Sequence, residues 1–165
     1  MTHDFTFTPA TNATLVNGVI AAKRTDAGTT NMGLAPEQFT NTNTNFGTVT
    51  FNVTDGYQTI TPISATVTIT GHVDTARYNA TEHSVSGYDV EISTPLYTEA
   101  DFSFNGTAEA ARTEVGTTYM GLAPAQFANT SSNFTNVTFN VTDGHQTVIM
   151  PEGMVIVTIK GLVVT

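Results

Sequence analysis

Thr25-Asp26-Ala27-Gly28-Thr29-Thr30-Asn31-Met32-Gly33-Leu34-Ala35-Pro36-Glu37-Gln38-Phe39 returns, 88 residues on, as Thr113-Glu114-Val115-Gly116-Thr117-Thr118-Tyr119-Met120-Gly121-Leu122-Ala123-Pro124-Ala125-Gln126-Phe127. The match runs on without a gap to Val53-Thr54-Asp55-Gly56 and Val141-Thr142-Asp143-Gly144. Beyond it the spacing drifts. Val67-Thr68-Ile69 matches Val157-Thr158-Ile159 at 90 residues, and Asp4-Phe5-Thr6-Phe7 matches Asp101-Phe102-Ser103-Phe104 at 97. A repeat of this period is a structural unit that stacks or strings with its neighbours.

The copies are out of phase with the chain. Residues 1–65 form a partial first repeat with an insert at about 8–23, lacking any counterpart of Val67 through Ala100. Residues 66–153 form a complete second repeat. Residues 154–165 read as the opening strand of a further unit, able to complete the first repeat or a neighbouring chain.

Outward from the repeat, the pattern is that of strands. Val49-Thr50-Phe51-Asn52-Val53 and Val137-Thr138-Phe139-Asn140-Val141 alternate apolar and polar at period two, as do 65–70 and 155–160. Asp55-Gly56 and Asp143-Gly144 follow the first two, a hairpin signal, with Tyr57–Ile60 and His145–Val148 as return strands. Tyr88–Ile92 and Phe102–Phe104 add further strands. Leu34–Phe39, with Pro36 near its start, predicts one short helical turn per copy. The fold class is all-β, mainly antiparallel: tandem small β-sandwich or β-grasp-like modules.

Composition agrees. Only 12% of the 165 residues are charged, and Thr and Asn replace the missing charges. Thr suits a pleated, half-wet surface and Asn suits turns. A net charge of −9 with five Lys plus Arg argues against nucleic acid and against an electrostatic membrane anchor. No apolar run is long enough for a membrane helix. There is no Cys, hence no disulfide or thiol nucleophile. The opening Met1-Thr2-His3-Asp4 does not read as a signal peptide, so the sequence is expected to be an excerpt of a secreted parent.

Tyr78-Asn79-Ala80-Thr81-Glu82-His83-Ser84-Val85-Ser86-Gly87-Tyr88, Pro95-Leu96-Tyr97, Asp101–Ala108, Gly116–Leu122 and Val141–Gly144 together resemble the tandem MBG/YDG-type repeats of large secreted surface proteins from gut Firmicutes and relatives. The resemblance covers 66–153 and, in part, 24–62. Ala80 departs from it, since the family often carries Gly there, and so does the Ala10–Ala22 insert. It implies a stalk or spacer module at a bacterial cell surface, with no catalytic residues.

The residues themselves suggest little chemistry. His3, His72, His83 and His145 are not at metal-ligand spacing, and His145 matches Tyr57. Acid residues beside or near Gly, at Asp26, Glu114, Asp55 and Asp143, could hold calcium, but turn chemistry explains Asp-Gly without it. No cofactor is expected. Lys23 and Lys160, and Gln58 and Gln146, are raw material for internal isopeptide or ester links.

The chain therefore reads as a structural spacer rather than an enzyme. An adhesin module binding host glycan or protein would use the insert, where Leu15, Val16, Val19 and Ile20 are apolar; a plain extra hairpin turning at Asn17-Gly18 is the simpler reading. A third reading is self-assembly with copies of itself through Val155, Val157 and Ile159.

Overall fold

The computed structural model describes residues 4–16, 19–153 and 155–161. They fall into two compact units, Met1–Ser64 with Ser131–Asn136, and Ala65–Thr130 with Val137–Thr165. The fold is all-β and mainly antiparallel. Among the described residues the helical content is three 3-10 turns, two of them at Pro36–Gln38 and Pro124–Gln126, where one turn per copy is expected.

The second unit is built on two three-stranded sheets. In one, Thr66–Gly71 is central, antiparallel to Tyr88–Ile92 and parallel to Thr138–Thr142. In the other, His145–Ile149 is central, antiparallel to Gly116–Tyr119 and parallel to Val73–Arg77. Two smaller ladders join His83–Ser86 to Glu109–Arg112 and Phe102–Phe104 to Phe127–Asn129. Alternation places Val67 and Ile69 wholly inside, with Thr66 and Thr68 on the wetter face. Ala65, Tyr97, Ala110, Leu122, Phe127 and Val148 are buried with Val67 and Ile69.

The first unit repeats part of that plan in the same register. Phe5–Phe7 pairs with Phe39–Asn41 as Phe102–Phe104 pairs with Phe127–Asn129. Gly28–Asn31 pairs with Tyr57–Ile60 as Gly116–Tyr119 pairs with His145–Ile149. Phe5, Phe7, Phe39 and Phe51 form an aromatic cluster with ring centroids 5.1–5.9 Å apart, matching Phe102, Phe104, Phe127 and Phe139. Residues 131–136 belong to this unit through a parallel bridge between Ile63 and Phe134. Asn133 accepts from the Ala27 N–H at 2.6 Å and donates to Asp26 Oδ1 at 2.9 Å.

Two sequence expectations are corrected. First, Val49–Val53 is not a strand, although Thr138–Thr142 is. The latter gives its backbone hydrogen bonds to Thr66–Gly71, and residues 4–64 contain no counterpart of that segment. Alternation decides which face is apolar; a strand exists only where another takes up its N–H and C=O groups.

Second, neither Asp-Gly pair is a two-residue hairpin. No strand immediately precedes Asp55-Gly56, and the strands on either side of Asp143-Gly144 lie in different sheets and do not pair. Asp143 instead accepts from the Gly121 and Leu122 N–H groups at 3.1 and 2.9 Å. Gly144 lets the His72 carbonyl and Gly71 come so close that a Cβ would collide with them. The dipeptide marks a sheet-to-sheet crossing.

Val155–Lys160, expected as the opening strand of a further unit, forms no ladder with any described residue of this chain.

The same shortage of partners explains the uneven burial. Gln146 and Val148 are buried, whereas the matching Gln58 and Ile60 are exposed and half-buried. Leu122 and Phe127 are buried, and their counterparts Leu34 and Phe39 only half so. Among the described residues of the first unit, Ile20 and Phe134 are the buried apolar side chains.

Candidate functional site

The polar side chains that recur in both copies hold backbone. Arg24 donates from Nε to the Asp26 carbonyl at 2.7 Å, from Nη2 to the Ala27 carbonyl, and from Nη1 to Thr30 Oγ1 at 3.2 Å. Arg112 does the same to Glu114, Val115 and Thr118 at 2.7, 3.0 and 3.2 Å. A guanidinium presents a fixed fork of donors, which suits it to clasp the tight turn before each Gly28- or Gly116-led strand. Sequence reasoning missed this clasp. The signal was present, since two of the three arginines sit at matched positions.

Asp55 and Asp143, weighed above for calcium, each accept two backbone N–H groups, Asp55 from Gly33 at 3.1 Å and Leu34 at 2.8 Å. Gln38 accepts from the Ala35 N–H and donates to the Gly33 carbonyl, both at 3.0 Å, and Gln126 accepts from the Ala123 N–H at 2.8 Å. Gln146, considered for an ester link, is buried and donates to Oδ2 of the exposed Asp74 at 2.8 Å. No group of three or more metal-ligating side chains occurs among the described residues.

Of the histidines, His72 is the most engaged. Its Nε2 lies 3.2 Å from Asp89 Oδ1 and its Nδ1 2.8 Å from the Ser86 carbonyl. The Asp89 hydrogen bond, then the Ser86 carbonyl, raise its pKa above the ordinary histidine value. His83 contacts Asn79, and His3 lies outside the described residues.

The insert is a hairpin. Leu15 pairs with Ile20 and Val16 with Val19; the turn expected at Asn17-Gly18 lies outside the described residues. Ile20 is buried, while Leu15, Val16 and Val19 are 50%, 47% and 64% exposed. Of the four insert residues singled out from the sequence, one is therefore core and three form a small apolar tip. Val155, Val157 and Ile159 are exposed, together with Ile156.

A groove of about 370 Å³ in the first unit was not foreseen. Asp4, Phe5, Asn41, Phe46, Val49 and Phe51 line it. Asp4, Phe5 and Asn41 match Asp101, Phe102 and Asn129, which in the second unit hold Tyr97. There the Tyr97 ring stacks on Phe102 at 6.3 Å, with its hydroxyl 2.9 Å from the Asp101 carbonyl and 3.1 Å from Asn129 Oδ1. The groove thus has the walls of a tyrosine socket.

No family model, curated protein or solved structure matches the chain. No helix among the described residues is long and apolar enough to cross a membrane.

Proposed function

We propose that the chain is a structural spacer repeat of a bacterial cell-surface protein of the MBG/YDG type, holding an adhesive head away from the cell. One observation carries this reading. The side chains that recur at matched positions, Arg24/Arg112, Asp55/Asp143, Gln38/Gln126 and the phenylalanine quartets, are spent on clasping turns and filling cores. A repeat kept for binding would be expected to repeat a surface constellation instead.

A second reading, an adhesin module, is favoured by the Leu15, Val16 and Val19 tip, which has no equivalent in the second copy. The test is a glycan array and host-protein titration with the full chain and with a variant lacking residues 9–22. The spacer reading expects no saturable binding. Binding at about micromolar strength that vanishes with the deletion would replace it with the adhesin.

A further inference from the structure

Two stretches of this chain, each without a ladder among the described residues, are repeat counterparts of two strands that pair with each other. Thr138–Thr142 and Thr66–Gly71 are parallel neighbours in the second unit, in the register Phe139 to Val67, Asn140 to Thr68 and Val141 to Ile69. Their counterparts are 50–54, at an offset of 88, and 156–161, at an offset of 90. Val67 and Ile69 are completely buried by this arrangement, whereas Val157 and Ile159 are 75% and 90% exposed.

From this we infer that residues 155–161 of one copy of the chain add a parallel strand to the 50–54 edge in the first unit of a second copy, with Phe51 opposite Val157, Asn52 opposite Thr158 and Val53 opposite Ile159. The inference rests on the repeat reading above and names the partner that reading leaves open.

A glycine supports the match beyond the apolar pattern. Gly71 ends its strand where a Cβ would strike the Gly144 backbone and the Leu122 side chain. The segment 155–161 carries Gly161 at that place, and the first unit carries Gly56 and Leu34 in the facing positions. The donor has the side chains to fill the core and the missing side chain that the close approach requires.

The order of the repeat selects a second copy rather than the donor's own first unit. The chain leaves the last strand of the first copy at Ile60 and six residues later, at Thr66, opens the next unit. The chain leaving the last strand of the second copy reaches 155–161 by a similarly short link, two residues longer at matched positions, and so is set to open a unit downstream of its own. Head-to-tail addition of this kind is heterologous and propagates as a filament unless it closes into a ring. With a net charge of −9 on every copy, assembly strengthens as salt screens their repulsion.

The absence of native Cys makes the register directly testable. Asn140 is exposed and Thr68 half-exposed in the paired strands, so Asn52→Cys and Thr158→Cys fall on the outer face. Mixing the two single variants and oxidising should give a disulfide-linked dimer, and the double variant a ladder of multimers. Asn52→Cys with Ser93→Cys, out of register, should give neither. Light scattering of the unmodified chain should show mass rising with concentration and with salt. Ile159→Asp should raise the concentration for half-assembly by about 100-fold or more, because a carboxylate would be carried into the core. It should leave the melting of the second unit unchanged.

Cross-linking of the double variant only within one chain, or an unmodified chain that stays monomeric at every concentration and salt, overturns the inference. Either result leaves the spacer reading standing, which fails instead on saturable ligand binding by the same material.

Discussion

Ile69 and Ile159 stand at the same place in the repeat, yet the same substitution should have very different effects at the two. Ile69 is wholly buried at the centre of a three-stranded sheet, flanked in the ladder by Val90 and Val141. Ile69→Ala removes buried methyl and methylene groups and leaves a cavity between two neighbouring strands, at a cost of about 3 kcal/mol. For a unit of this size, about 1 kcal/mol lowers the melting temperature by about 4–8 °C, so the drop should be about 12–24 °C. Ile159 is 90% exposed, and Ile159→Ala should stay within about 0.5 kcal/mol. The milder Ile69→Val, at about 1 kcal/mol, keeps the comparison usable if the alanine variant fails to fold. The assay is far-UV circular dichroism through heat and urea, at protein concentrations where light scattering shows monomer. Equal losses at 69 and 159, or a loss below about 1 kcal/mol for Ile69→Ala, would refute the argument that the ladder around Thr66–Gly71 creates the core.

Gly71→Ala should destabilise the second unit by about 2 kcal/mol or more, since the new methyl meets the Gly144 backbone rather than a side chain that can swing away; urea midpoints measure it. Tyr97→Phe keeps the stacking on Phe102 but strips the hydroxyl from the Asp101 carbonyl and Asn129, so a loss of about 1–2 kcal/mol is expected in the same titration. His72 has its pKa raised by Asp89 and Ser86, so its contribution is fully present below the unfolded value of about 6.5 and fades as pH rises through the higher folded value. Melting temperatures of the native chain should therefore fall slightly from about pH 5.5 to about pH 8.5 relative to His72→Asn; parallel curves would show that the contact contributes nothing. Arg112→Lys retains the charge but not the fork that clasps Glu114, Val115 and Thr118, and should lower the second unit's stability by about 1 kcal/mol in urea.

The repeat, the all-β class and one short helical turn per copy were legible in the amino-acid sequence. They follow from local physics: β-branched residues at period two, and Pro at the start of a turn. What the sequence could not decide was which alternating segments become strands. Residues 50–54 and 138–142 are identical in sequence, and only the second stretch finds a neighbour for its backbone groups. Asp55-Gly56 and Asp143-Gly144 look like hairpin turns because the dipeptide is common there; in both copies the carboxylate is tied instead to two backbone N–H groups, of residues 33 and 34 or 121 and 122, and no hairpin forms. The tyrosine socket was equally hidden, since its walls come from segments distant in sequence. Hydrogen-bond partners in a sheet are non-local, so the pattern along a strand fixes its apolar face, while the tertiary structure decides whether there is a sheet for it to join.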